Sequence, residues 1–362
     1  MNRLDDAGTT DDPRESWWIY TGERDPGASR STLPSIPAPP PWRTFGLAEL
    51  VEPGLERDLA SKDRRRPAPV PDDPGSAQPP RRYLGDAETY NLVNAALLLR
   101  RPLMVTGPPG TGKSTLAASV AHELGLGPVL RWGITSRSTL KEGLYEYDVL
   151  GRLHELNIQQ RLGRRHRGKG RRDSIGDYLR LGPLGDALLP RRRPRVLLID
   201  EIDKSDVDLP NDLLHVFETG GYEIPELRRS ATSPVAVRGE DGKTEVWVHD
   251  GRVLCAEFPL VIMTSNGERE FSPAFRRRCL FLKLSRPDRH RLRQIVQEHM
   301  AEPYDREAVE QVLKGFDELV ESGRQLSPDQ LINAVRLRLE AQLGPQHFDI
   351  LRETVLHPLS GG

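Results

Sequence analysis

The stretch Gly107-Pro108-Pro109-Gly110-Thr111-Gly112-Lys113-Ser114-Thr115 concentrates more chemistry than any other part of this chain. Glycines at 107, 110 and 112 let the backbone turn its N–H groups inward, where they can surround a phosphate. Lys113 can reach β- and γ-phosphates, and the Ser114 hydroxyl is a ligand for Mg²⁺. Every position of G-x-x-x-x-G-K-[ST] is filled, and the setting is right: Leu103-Met104-Val105 reads as a strand and Leu116, Val120 and Leu124 as one face of a helix. A helix beginning near Lys113 adds free N–H groups and the positive end of its dipole.

A second group stands about 90 residues on. Val196-Leu197-Leu198-Ile199 is an apolar run ending in Asp200-Glu201-Ile202-Asp203. Asp200 can hold Mg²⁺ beside Ser114. Glu201 is placed to polarise a water for attack on a γ-phosphate. Another apolar run, Leu260 to Thr264, leads to Asn266, which can orient the same water, although Asn before Gly267 also suits a turn. Ser272 to Cys279 then sets Arg276, Arg277 and Arg278 immediately before a further apolar segment. A guanidinium there can stabilise charge spreading over a transferring phosphoryl group. From the edge of a sheet it would serve a neighbouring subunit more readily than its own.

These groups must be held by strands. Five strand-like segments, near 103–105, 129–132, 196–199, 260–264 and 279–284, alternate with helical patterns, which argues for a parallel α/β sheet. Ligands of such sheets sit at the carboxyl ends of the strands, where all three polar groups fall. A helix is expected over 86–100 and another over 209–219, ended by Gly220. The alternation between Tyr222 and Val253 predicts a β-hairpin insertion. From Asp288 the pattern is helical, roughly over 288–300, 305–322, 328–343 and 347–357; Ser327, Pro328 and Gln330 mark a capped start.

Residues 1–82 differ in composition: prolines cluster at 34–41 and 67–80 between charges, which predicts a largely disordered arm. Two aromatic islands interrupt it, Trp17-Trp18-Ile19-Tyr20 and Trp42 with Phe45. Either they pack on this chain's own folded part, or they dock a partner. The arm is expected to be dispensable for the chemistry of the site. Arg161, Arg164, Arg165, Arg167, Lys169, Arg171 and Arg172 form a basic run that is either a solvated loop or a contact for a polyanion. Its lack of interleaved aromatics argues against a single-strand nucleic-acid platform.

The net charge is −1 over 362 residues, so no global field attracts nucleic acid or acidic lipid. Cys255 and Cys279 have no metal-ligand spacing and read as reduced thiols. The polar, acidic stretch from Met1 to Asp12 is unlike a signal peptide, and no apolar run is long enough to span a bilayer. A cytoplasmic location is expected.

Gly107 to Ser114, Leu197 to Glu201, Met263 to Asn266 and Phe275 to Cys279 resemble the Walker A, Walker B, sensor 1 and arginine-finger motifs of AAA+ ATPases. Thr264 to Glu270, followed by Phe275 to Cys279 and with the hairpin insertion, looks like the MoxR-type branch. The resemblance covers about residues 83–357. It implies an α/β ATPase core over 83–286, a helical lid over 287–362, and a hexameric ring that uses ATP and Mg²⁺ to remodel a client protein on a separate chain. Because the chain ends just after the lid, any effector is expected to be another polypeptide. Lys113, Ser114, Asp200, Glu201 and Asn266 would act in cis, with Arg277 or Arg278 in trans. The sequence departs from the family where a sensor 2 arginine follows a Ser-Pro pair: Asp329 stands there, leaving Arg336 or Arg338 as substitutes. A nucleic-acid motor or loader, and a slow nucleotide-gated switch, are the alternative readings.

Overall fold

The computed structural model describes residues 17–22, 34–45, 83–162, 174–229, 234–300, 304–324, 326–341 and 355–356. Helix α1 (Ala87–Leu99) is capped by the Asp86 carboxylate, which accepts from Thr89 N–H at 2.8 Å. Strand β1 (Leu103–Thr106) runs into the glycine loop and α2 (Lys113–Glu123), and then β2 (Leu130–Gly133). A block of short elements follows: α3 (Leu140–Leu144), β3 (Tyr145–Tyr147), α4 (Val149–Leu162), β4 (Leu179–Leu181) and α5 (Pro183–Ala187). Strand β5 (Val196–Asp200) leads to α6 (Leu209–Thr219), β6 (Gly221–Glu223), α7 (Pro225–Arg228), β7 (Val235–Arg238), β8 (Glu245–Val248) and β9 (Arg252–Leu254). Strand β10 (Leu260–Ser265), α8 (Pro273–Arg278) and β11 (Leu280–Lys283) close the α/β part. Helices α9 (Arg289–His299), α10 (Arg306–Glu321) and α11 (Pro328–Glu340) come last.

The five expected strands form one parallel sheet in the order β11-β1-β10-β5-β2. Its strands read as nearly continuous apolar runs because both faces are covered. Along them, side chains alternate between two cores: Met104, Leu197, Ile199, Val261 and Met263 on one face, Leu103, Val105, Val196, Leu198, Leu260 and Ile262 on the other. Thr106 pairs with Ser265, Met263 with Ile199, and Gly133 with Asp200. This register brings the ends of β1, β5 and β10 level. The last three helices enclose a separate core around Val312, Phe316, Leu331 and Val335.

One expectation changes. The hairpin of β7 and β8 is not an isolated insertion: it joins β3 and β4 in a second, four-stranded sheet. Its partners are three-residue strands, too short to carry a readable alternation. All but residues 355–356 of the helix expected over 347–357, and the side chains of the basic run 161–172, lie outside the described residues.

The aromatic islands pack on the chain's own core. Asn94 of α1 clasps the first one, its Oδ1 accepting from Ile19 N–H at 2.7 Å and Tyr20 N–H at 2.9 Å while its Nδ2 donates to Tyr20 O at 2.8 Å. Glu123 at the end of α2 accepts from Thr21 N–H at 2.7 Å and Gly22 N–H at 2.9 Å. Tyr20 is fully buried and its hydroxyl meets Ser119 Oγ at 2.9 Å. The second island runs across the end of the sheet opposite the glycine loop. Arg193 donates to Pro34 O, Arg100 to Pro37 O, and Arg43 to Phe217 O. Phe45 ends it, buried against Phe258 and over Gly220, where a Cβ would strike the ring. Tyr20 lies in the core of one sheet face and Phe45 in that of the other. Tyr20 and Phe45 are thus the buried anchors, helped by Trp18, whose indole N–H donates to Asn91 Oδ1 at 2.7 Å, whereas Trp42 is 75% exposed. Of the two alternatives for the islands, packing on the chain's own folded part is the one observed, and the described residues of this segment touch both faces of the sheet.

Candidate functional site

The register of the sheet delivers three loops to one place. The glycine loop leaves β1, Glu201 follows β5, and Asn266 follows β10. Lys113 is the centre of the arrangement. Its ammonium donates to Gly107 O at 2.6 Å, Pro108 O at 3.0 Å and Asn266 Oδ1 at 2.7 Å. Three acceptors satisfy its three protons. Burial lowers the pKa of this ammonium, and the carboxylates of Asp203, Asp200 and Glu201 oppose that shift.

Ser114 Oγ donates to Asp200, lying 3.2 Å from each carboxylate oxygen. The fully buried Thr264 also donates to Asp200, and its hydroxyl accepts from Glu201 N–H at 2.9 Å. Thr264 thus joins the two acidic residues to the strand beside them. Glu201 adopts φ 61 and ψ 46, a left-handed conformation uncommon for a residue with a side chain. It turns the chain out of β5 into a short 3-10 turn, and its carboxylate meets Lys204 Nζ at 2.8 Å on the open side.

The glycines answer to steric demands. Gly107 has φ 151 and a Cβ there would collide with Leu284 O. Gly110, at φ 74, would place a Cβ 2.5 Å from Ser327 Cβ, so the start of α11 sits directly on the loop. Gly112, at φ 84, faces Tyr83. This cradle and its donors fit a nucleotide polyphosphate. Ser114 and Asp200 offer the hard oxygen ligands that suit Mg²⁺. Thr111 and Thr115 belong to the same loop; Thr111 Oγ1 donates to Pro108 O at 2.9 Å and tightens it.

Among the three arginines the structure distinguishes. Arg278 is engaged by Glu218, and Arg276 lies over the Phe281 ring. Arg277 is exposed, and its guanidinium makes no hydrogen bond or ion pair among the described residues. Arg101 at the foot of β1 donates to the carbonyls of Arg277 and Arg278. The arginines therefore stand at the start of the edge strand β11, while the glycine loop stands at the far end of β1. The four residues between span roughly 13 Å. They thus lie at the opposite end of the sheet from their own glycine loop.

Neither lid arginine considered from sequence contacts the loop among the described residues. Arg336 pairs with Glu340, and Arg338 donates to Gln311 of α10. Asp329 at the first turn of α11 is exposed at the surface, and partial desolvation raises its carboxyl pKa against the opposing effect of His299. Thr264, Asp203 and Tyr83 were missed as site residues. Only the Asp-Glu-Ile-Asp spacing hinted at Asp203; the others become visible once strands are paired.

No curated protein matches the chain. Among solved structures it is similar to the crystal structure of the FIGL-1 AAA domain in complex with ADP, at 18% identity over 73% of this chain and 74% of that one, with a TM-score of 0.36. That superposition is too loose to transfer any residue's role. Residues 102–279, which include every site residue named from the glycine loop to Arg278, match the family model of the AAA domain (dynein-related subfamily). Residues 102–279 are thus similar to an AAA domain, and the parallel five-stranded sheet that they build with β11 has the P-loop α/β fold.

Proposed function

We propose that this chain is an ATPase of the AAA+ class, of MoxR type, that assembles as a hexameric ring in the cytoplasm and uses hydrolysis to remodel a client protein on a separate chain. The observation that carries the hydrolytic reading is the convergence of two hydrogen-bonded groups, Lys113 with Asn266 and Ser114 with Asp200, at the strand end where Glu201 also lies. Gly107 to Thr115 would hold the polyphosphate, with Lys113 leaving its carbonyl partners for the β- and γ-oxygens. Ser114 and Asp200 would hold Mg²⁺, which when bound would neutralise charge on the phosphate oxygens. Glu201 would take the proton of the attacking water, and Asn266 would orient that water.

The ring is supported by the placement of Arg277, exposed, without a hydrogen bond or ion pair among the described residues, and at the opposite end of the sheet from its own glycine loop. The MoxR assignment rests on the sequence between Thr264 and Cys279 and on the position of the β7–β8 hairpin. Binding of a fluorescent ATP analogue in MgCl₂ tests the site. The parent and Glu201→Gln should bind, and Lys113→Ala should lose tight binding because the loop's mobile cation is gone. Equal affinity for Lys113→Ala would contradict the assignment. A pull-down with Glu201→Gln, which should hold ATP and client together, addresses the partner.

A further inference from the structure

Asp203 takes no part in the chemistry described above, yet it is one of the most heavily engaged side chains near the site. It lies on the 3-10 turn Ile202–Lys204 that the left-handed Glu201 initiates, and it is 6% exposed. Its Oδ2 accepts from Ser265 Oγ at 2.9 Å, Asn266 N–H at 2.9 Å and Glu268 N–H at 3.2 Å. Its Oδ1 is buried with no hydrogen-bond partner among the described residues. All three donors come from one turn, the one that carries Asn266.

That turn has little else to fix it. Gly267 occupies φ 82 with open space around it, and its N–H donates to Ser265 Oγ at 2.9 Å, the same hydroxyl that donates to Asp203. The Asn266 side chain projects to Lys113, whose ammonium it meets at 2.7 Å. A second tie between the two loops is independent of Asp203: Arg269 donates to Ser205 O at 2.9 Å and to Ser205 Oγ at 3.2 Å. Losing Asp203 therefore leaves the loops adjacent while freeing the backbone N–H groups that set the direction of Asn266.

We infer that Asp203 is the positioning residue for Asn266: it clamps the backbone of residues 265–268 to the end of β5, so that the Asn266 amide is held beside Lys113 and over the glycine loop. The inference rests on the hydrolytic reading of the site. Asp203 acts through geometry. An acceptor at the Oδ2 position is what the turn requires, and the carboxylate does not touch the reacting atoms.

A double-mutant cycle tests this, with kcat and KM for MgATP measured on the full chain for Asp203→Ala, Asn266→Ala and the double variant. Each single variant should lower kcat by a similar factor, roughly 10- to 100-fold, as expected for a misplaced catalytic group. KM should stay within about threefold of the parent, since binding is not what is lost. The double variant should be no worse than Asn266→Ala alone, because the two act as one unit. Losses that multiply, or a rise in KM with kcat unchanged, would overturn the inference. Should Asp203→Ala melt early, two gentler variants decide. Asp203→Asn keeps an acceptor at the Oδ2 position and should retain most of kcat. Asp203→Glu keeps the charge, displaces the acceptor by a methylene and should not. The reverse order would mean that charge and not position matters, and would sink the inference. A parent that does not hydrolyse ATP overturns the hydrolytic reading and this inference together. An active parent with multiplying losses removes this inference alone.

Discussion

At the scale of single residues, the site divides into groups that touch a nucleotide and groups that aim them. Thr264 belongs to the second kind. Replacing it with valine keeps the volume but removes the acceptor of Glu201 N–H and a donor to Asp200. A buried N–H left without a partner costs about 1–3 kcal/mol. Thr264→Val should therefore lower thermal stability and reduce turnover, with the larger kinetic effect at limiting Mg²⁺; unchanged Mg²⁺ dependence would count against Thr264 as an organiser of the acidic pair. The arginines give a sharper contrast. Arg278 is engaged by Glu218 in the same chain, whereas Arg277 has no hydrogen bond or ion pair among the described residues. Loss of a transition-state arginine costs on the order of 10³-fold in turnover. Arg277→Ala should show a loss of that size and Arg278→Ala a much smaller one, in steady-state phosphate release at fixed protein concentration. Groups that touch the nucleotide were legible in the sequence because they sit at fixed offsets from a strand end. Thr264 and Asp203 were not, since their partners lie more than 60 positions away and become neighbours only when β5 and β10 pair.

At the scale of elements, the five parallel strands and the α6, α9, α10 and α11 helices followed from apolar runs, capping residues and period. The second sheet escaped because β3 and β4 have three residues each and owe their pairing to tertiary contact. The N-terminal islands were visible by composition, but which residues anchor them was not: tryptophan is conspicuous in a proline-rich arm, while Tyr20 and Phe45 are the ones buried. A chain starting at Arg81 loses both anchors and strips Asn94 and Glu123 of their partners on the strap. Even Tyr20→Ala alone should cost about 3 kcal/mol, the lower end for removing a buried aromatic. The thiols provide the measurement. Burial pushes Cys255 and Cys279 up to about 12. At pH 8, well below that value, the folded chain holds thiolate at only on the order of 10⁻⁴ of each group, so alkylation waits for unfolding. Labelling in rising urea should begin at lower concentration for Tyr20→Ala and for the chain from Arg81 than for the parent. Coincident labelling curves would show that the strap contributes no stability.

At the scale of the whole molecule, Arg277, which closely precedes the edge strand and has no polar partner among the described residues, and a glycine loop at the opposite end of the sheet fit the proposed ring, in which two chains complete each site. Lys113→Ala subunits keep Arg277, and Arg277→Ala subunits keep the glycine loop; each should be inactive alone. Mixed together they should regain part of the hydrolysis, with specific activity rising as protein concentration favours assembly. No recovery in verified mixed oligomers would remove the ring from this account. The central claim, that the group around Lys113 hydrolyses ATP with Glu201 as its base, is tested most directly by phosphate release from MgATP at saturating nucleotide. The parent should turn over, and Glu201→Gln should bind the nucleotide yet release phosphate on the order of 10²-fold more slowly. A Glu201→Gln variant that releases phosphate at the parent rate would contradict it.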